Sequence, residues 1–320
     1  MIFRTSIYGI TVIALTIFGV SHSAVAQDKQ TESRPTSDLL VDVQWLSVHQ
    51  NEVRLITLGQ TDQQYRAGHL PNAVFVDWKT QISDPAQKDL FNLPPKEMVE
   101  KLLSRLGVTP TTTIVLADNR SNRISTRLLW TLKMHGHWNV KILDGGIKAW
   151  RLAGKELTTA IISIEPTVYE FGADDNAWAD ANFADTSAVE HSIANGRLLL
   201  DGRPKPQYTG AEPGVAFHTN QPHQRRGHIQ SAINVPWKLN FNEDGKFKSV
   251  EALRAIYTQA GVTPDQHITT YCNEGLHAAP AWFVLKELLG YPNVTLYDDS
   301  MGVWANRFDT PMEQTEALLD

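Results

Sequence analysis

Cys272 is the only cysteine in 320 residues. It follows a β-rich run, His267 to Tyr271, and precedes the short turn Asn273-Glu274-Gly275-Leu276-His277 and a helix-like run from about Ala278 that stops at Gly290. In a strand, tight loop and helix taken in that order, the loop N–H groups and the unsatisfied N–H groups of the first helical turn converge at the strand's end. A thiol there is expected to have a lowered pKa, because dipoles that bind anions favour the thiolate. Gly275 is expected to let the loop curl around the sulfur where a side chain would obstruct it. Pro280 suits the first helical turn, where a missing N–H costs nothing. These residues make Cys272 a candidate nucleophile. His277 either donates a hydrogen bond to a substrate or bonds its own loop.

Other chemistries fit less well. A cysteine phosphatase needs an arginine six residues after the nucleophile to hold phosphate, and Ala278 stands there. A Cys–His hydrolase built from Cys272 with His228 or His277 has no separate residue to orient the histidine. The histidine pairs His135 with His137 and His218 with His223 lack further ligands at metal-binding spacing. No metal, flavin or nucleotide cofactor is called for.

The elements that must position Cys272 read as alternating strands and helices. Val53 to Leu58, Ala73 to Val76, Thr113 to Ala117 and Val140 to Leu143 have strand character. Glu97 to Leu106 and Ile124 to His135 read as helices closed by Gly107 and Gly136. The fold class is therefore α/β, a mainly parallel sheet flanked by helices. The second half repeats the first. LGVTP at 106–110 recurs as AGVTP at 260–264, and AGHLPNAVFVDW at 67–78 recurs as RGHIQSAINVPW at 226–237. Two domain-sized copies indicate a duplication, not a solenoid. The expected organisation is a first domain at 39–153, a surface linker at 154–181 and a second domain at 182–316. Asp118 aligns with Cys272, so only one copy has a sulfur nucleophile.

Composition is that of an ordinary globular protein, with 42% hydrophobic and 20% charged residues and a net charge of −6. No global basic field attracts nucleic acid or anionic lipid. Residues 1–26 read as a cleavable signal peptide, with Arg4 ahead of the apolar run Ile7 to Val20 and the small-x-small site Ala24-Val25-Ala26. Residues 27–38 read as a disordered N-terminus. The mature protein is expected to be periplasmic or secreted, with no membrane association after cleavage. A single unpaired thiol in an oxidising compartment suits chemistry better than scaffold.

The pattern LLLDGRPKPQYTG, RRGHIQSAINVPW, CNEGLH and LYDDSMGVW, set in a duplicated α/β chain, resembles the tandem-domain rhodanese family of sulfurtransferases. The resemblance implies two rhodanese-like domains, the second catalytic. It also implies a Cys272 persulfide formed from a small donor of the thiosulfate or 3-mercaptopyruvate class and passed to a thiol, cyanide or protein acceptor. The loop Asn273, Glu274, Gly275, Leu276 and His277 and the side chain of Arg203 are implied in substrate binding, with Asp201, His228 and Trp45 in support. Members that prefer thiosulfate often carry cations after the cysteine and an arginine before the tyrosine at 208. Here Asn273, Glu274 and Gln207 stand at those places, and Glu274 is expected to repel a dianionic donor. Arg225 and Arg226 either supply positive charge near the pocket or are solvated. The rival role is a non-enzymatic sulfur carrier or binding module that turns over small donors weakly.

Overall fold

The computed structural model describes residues 1–2, 38–87, 91–172, 176–217 and 219–315. The expected signal peptide and N-terminal tail lie almost entirely outside the described residues, as does His218. Among the described residues no helix is long and apolar enough to cross a membrane.

Residues 34–320 form one compact unit containing both copies. In the first copy β1 (Leu40–Val41), β2 (Arg54–Leu58), β3 (Ala73–Phe75), β4 (Ile114–Asp118) and β5 (Val140–Leu143) form a sheet in the order β1-β5-β4-β2-β3. In the second, β6 (Phe183–Ala184), β7 (Leu198–Asp201), β9 (Ile233–Asn234), β10 (Ile268–Tyr271) and β11 (Val294–Tyr297) repeat that order as β6-β11-β10-β7-β9. All pairings in both sheets are parallel. A separate antiparallel pair joins β8 (His228–Ile229) to β12 (Met312–Glu313). The central strands β4 and β10 are buried along their whole length, which is why both read as apolar or β-branched runs without alternation.

The copies share one core. A single cluster of buried apolar side chains runs from Ile56, Leu116 and Trp130 in the first to Cys272, Trp282 and Leu296 in the second. The helix Arg123–Met134 packs against the segment Ala278–Trp282. Lys133 pairs with Glu287 at 2.6 Å, and these residues are equivalent positions one repeat apart. A residue touching its own counterpart marks an approximate two-fold axis between the copies, the geometry of an isologous interface. A second tie is fully buried, where Arg127 of the first copy pairs with Asp298 of the second. Arg127 also donates to Phe91 O at 2.9 Å, and Asp298 accepts from Leu93 N at 2.6 Å.

Two features depart from the expected elements. The helix after Cys272 is α-helical only over Ala278–Trp282 and continues as a π-helix over Phe283–Leu288 before Gly290 ends it. The connecting segment is not a surface linker throughout. Tyr169 and Phe171 are buried in the shared core, Tyr169 bonds His137 Nδ1 at 2.9 Å, and residues Asn176–Asn182 form a helix. Isolated aromatics in a polar stretch anchor as strongly as an apolar run but leave no periodicity to read.

Asp144, after β5, accepts from Phe247 N of the second copy at 2.9 Å, and burial pushes its carboxyl up from 3.8 to about 6. Its proton is held more tightly folded than unfolded, so its stabilising contribution is present at acid pH and is lost as pH rises through the folded value. Asp144→Asn is expected to raise stability near neutral pH by about 1–3 kcal/mol and to flatten the pH dependence between those two values. Urea unfolding across that range measures both; an unchanged profile would show that Asp144 is not the titrating group.

Candidate active site

Parallel sheets place their functional loops beyond the carboxyl ends of the strands, and Cys272 leaves the end of β10 there. Its register neighbour on β7 pairs Tyr271 with Asp201, so Cys272 and the Asp201-Gly202-Arg203 turn emerge side by side. The Cys272 thiol is 0% exposed. Its Sγ accepts from the backbone N–H of His277 at 3.1 Å, and the N–H groups of Glu274 and Ala278 bear on it as well. The loop is braced from behind. Ser300 Oγ accepts from the N–H groups of Cys272 and Gly275, each at 3.1 Å, and donates to Tyr297 O at 2.7 Å.

The cradle is present, but the lowered thiol pKa expected from it is not. Burial pushes Cys272 up to about 11, against the downward pull of the N–H groups of Glu274, Ala278 and His277. Complete burial outweighs the dipoles because the charged form loses its water.

The first copy shows what the same cradle does with a different occupant. Asp118 Oδ1 accepts from the N–H groups of Arg120 and Asn122 at 2.7 and 3.0 Å, and Oδ2 from those of Ile124 and Ser125 at 3.0 and 2.8 Å. A carboxylate thus fills the position that sulfur takes in the second copy.

Gly275 is required, but for a reason other than access to sulfur. Its φ is +74°, and a Cβ there would stand 2.7 Å from Arg127 Nη1 and 2.8 Å from Asp298 Oδ1. The obstacle is the buried ion pair behind the loop. Leu276 is fully buried beside it.

Glu274, expected to repel a dianionic donor, turns into the protein. Its side chain is fully buried and accepts from the backbone N–H of Phe217. Through this one oxygen the carboxylate ties Phe217 to the cysteine loop. Asn273 Nδ2 donates to Gln207 Oε1 at 3.0 Å. Two of the positions departing from the family pattern are therefore bonded to each other, a neutral amide pair where cations were expected.

Arg203 is buried and committed to structure. Its Nε and Nη2 bond Asp201 at 3.0 and 2.6 Å, and Nη2 also donates to Gly227 O at 2.8 Å. Asp201 and Arg203 thus form a buried pair beside the cysteine, near enough for a charge on Cys272 to raise the Arg203 pKa.

His228 and Trp45 lie apart from this constellation in their recorded contacts. His228 stacks on Tyr208 at 3.8 Å and bonds Tyr208 O at 2.8 Å. The first copy repeats the arrangement with His69 on Tyr65 at 3.9 Å, so it is a packing device of the repeat. Trp45 stacks on His49 and faces Lys141 within the first copy, because it sits on the helix Val43–His49 that follows the edge strand β1. Arg225 ties down the C-terminal segment through the carbonyls of Trp304 and Thr310 at 2.6 and 2.8 Å, and Arg226 is exposed.

The His277 ring does not bond its own loop. Its Nε2 accepts from Arg123 Nη1 of the first copy at 2.5 Å, while it stacks on Trp237 at 4.9 Å and meets Phe217 edge-on at 4.7 Å. Burial, Arg123 and Lys238 together hold its pKa well below the ordinary value. Trp237, Phe217, Ser300 and Arg123 were absent from the residues singled out in the sequence. The available signal was Arg123, the last residue of DNRSNR, standing one repeat before His277, the last residue of CNEGLH.

A family model described as Rhodanese-like domain matches this chain twice, over residues 34–153 and 180–307. The chain is 34% identical over 287 residues to "Sulfur carrier protein TtuD" of Thermus thermophilus, covering 87% of this chain and 98% of that one. It is 35% identical over 281 residues to the "Putative thiosulfate sulfurtransferase" of Saccharopolyspora erythraea, covering 87% and 97%. Among solved structures it is similar to SseA from Escherichia coli, described among 3-mercaptopyruvate sulfotransferases. That match has a TM-score of 0.70 and 28% identity, and covers 82% of this chain and 98% of that chain.

Proposed function

This chain belongs to the rhodanese family, and from that premise we propose a sulfurtransferase that carries its cargo as a persulfide on Cys272. The Cys272 thiolate attacks the transferable sulfur of a small donor of the thiosulfate or 3-mercaptopyruvate class; with 3-mercaptopyruvate the C–S bond breaks and pyruvate departs as its enolate with the bonding pair. With thiosulfate, the donor's S–S bond breaks and sulfite departs with the bonding pair, leaving an enzyme persulfide anion. A thiophilic acceptor then attacks the terminal sulfur, and the Cys272 thiolate leaves. The signal-peptide pattern in residues 1–26 supports a location outside the cytoplasm for this reaction.

The observation that carries this reading is the cradle itself. N–H groups of His277, Glu274 and Ala278 surround Sγ, and the equivalent cradle in the first copy holds the carboxylate of Asp118. A site that accepts an anion in one copy suits a sulfur anion in the other, in the manner of an oxyanion hole. Burial favours the protonated thiol, so ionisation of Cys272 accompanies donor binding in this reading.

The carrier role remains a specific second reading, favoured by the neutral Asn273–Gln207 pair and by full burial of Cys272. Thiocyanate formation from cyanide separates the two. Repeated turnover with thiosulfate, 3-mercaptopyruvate or an organic persulfide supports the enzyme. A single equivalent per protein supports the carrier, and no thiocyanate from any donor overturns sulfur transfer.

A further inference from the structure

The loop after Cys272 offers no free cation to a negatively charged donor. Arg203 is taken up by Asp201 and Gly227 O, Arg225 by the carbonyls of the C-terminal segment, and Arg127 by Asp298. Arg123 differs from all three. It comes from the first copy, crosses to the second, and lies over the Trp237 ring at 5.4 Å from guanidinium carbon to ring centroid. Among the described residues no carboxylate pairs with it, and its buried Nε has no hydrogen-bond partner.

Its one recorded side-chain bond is to His277 Nε2 at 2.5 Å, and the backbone N–H of that same His277 bonds Cys272 Sγ at 3.1 Å. A single residue therefore separates the guanidinium from the sulfur. His277 is itself 7% exposed, with Nδ1 unpartnered. Lys238 lies 5.9 Å from the centroid of the same Trp237 ring, and Arg120 adds positive charge from the Arg123 side. Burial and Arg120 lower the Arg123 pKa, while the Asp118 carboxylate and, to a smaller extent, charge on Cys272 raise it, so Cys272 lies within electrostatic reach of the guanidinium. An arginine in this setting is a desolvated cation with donors to spare, the combination that recognises carboxylates and oxyanions of sulfur.

We propose that Arg123, donated by the non-catalytic copy, binds the anionic end of the sulfur donor and so completes a site that the cysteine loop alone leaves without a cation. The inference rests on the sulfurtransferase reading. It assigns the first copy a function in substrate binding: its DNRSNR loop keeps the cradle shape with Asp118 and delivers Arg123 from the loop's end. The donor class is a small sulfur donor bearing a sulfonate or carboxylate. As the donor's anion arrives, Nη1 exchanges the neutral His277 ring for it.

The test compares wild type, Arg123→Ala and Arg123→Lys with thiosulfate, 3-mercaptopyruvate and a donor that bears no carboxylate or sulfonate, 2-hydroxyethyl hydrodisulfide, with cyanide as acceptor. For Arg123→Ala, KM for the anionic donors is expected to rise about 10- to 100-fold, the worth of a hydrogen bond to a charged group. Constants for the donor without a carboxylate or sulfonate stay within about twofold of wild type, and Arg123→Lys restores part of the loss. If KM for both anionic donors is indifferent to Arg123, the inference falls and the sulfurtransferase reading stands. Equal losses with donors that bear a carboxylate or sulfonate and with the one that bears neither, unrescued by lysine, would make Arg123 a structural tie and also overturn the inference. If wild type transfers sulfur from none of the donors, both fall.

Discussion

Cys272→Ser is expected to abolish sulfur uptake and transfer with every donor while leaving the fold in place. A serine hydroxyl ionises too weakly and is too poor a sulfur nucleophile to form the S–S bond. It nonetheless fits the site, because an oxygen at this position accepts the His277 N–H that bonds Sγ at 3.1 Å. The cost to stability should therefore stay near 1 kcal/mol, about the net worth of one hydrogen bond. No second cysteine exists to substitute. Thiocyanate formation and the midpoint of urea unfolding, measured together, check both halves. Donor-dependent activity surviving in the serine variant would place the sulfur elsewhere and remove the basis for the mechanism.

Gly275→Ala is expected to have the largest effect on stability among the loop substitutions. The residue adopts φ +74°, and an added Cβ would stand 2.7 Å from Arg127 Nη1 and 2.8 Å from Asp298 Oδ1. Those atoms belong to an ion pair with side chains 0% and 2% exposed, joining the two copies. Relief requires either the pair to separate, leaving buried charge uncompensated, or the loop to shift and lose the alignment of N–H groups on Sγ. Breaking a buried pair costs about 3–5 kcal/mol, and the left-handed backbone adds about 1–2 kcal/mol. A loss of at least about 3 kcal/mol by denaturant unfolding, with slowed sulfur uptake, is the predicted result. A loss below about 1 kcal/mol would mean that the ion pair tolerates displacement and that the glycine serves another purpose.

Much of this architecture is legible in the amino-acid order. The duplication predicts two sheets of one topology, and β1-β5-β4-β2-β3 recurs as β6-β11-β10-β7-β9. The strand, loop and helix around Cys272 predict converging N–H groups, and the alignment of Asp118 with Cys272 predicts a carboxylate in the vestigial cradle. What escapes sequence reading is contact between the copies. Arg123 meets His277, and Lys133 meets Glu287, because an approximate two-fold axis brings equivalent positions together. Periodicity within a single helix carries no such information. Glu274 shows a different limit: its charge is evident from its type, but its burial against Phe217 N depends on a segment nearly sixty residues earlier. The thiol pKa was misjudged for the same reason, since dipoles are local and the seal over Cys272 is not.

The central claim is that Cys272 carries transferable sulfur, and the mass of the peptide containing it tests that claim directly. After exposure to thiosulfate, 3-mercaptopyruvate or an organic persulfide, the tryptic peptide spanning residues 255–286 is predicted to gain the mass of one sulfur atom. Cyanide should remove the gain, and Cys272→Ser should never show it. A peptide whose mass stays unchanged with all three donors, or a gain that cyanide leaves in place, would contradict the account.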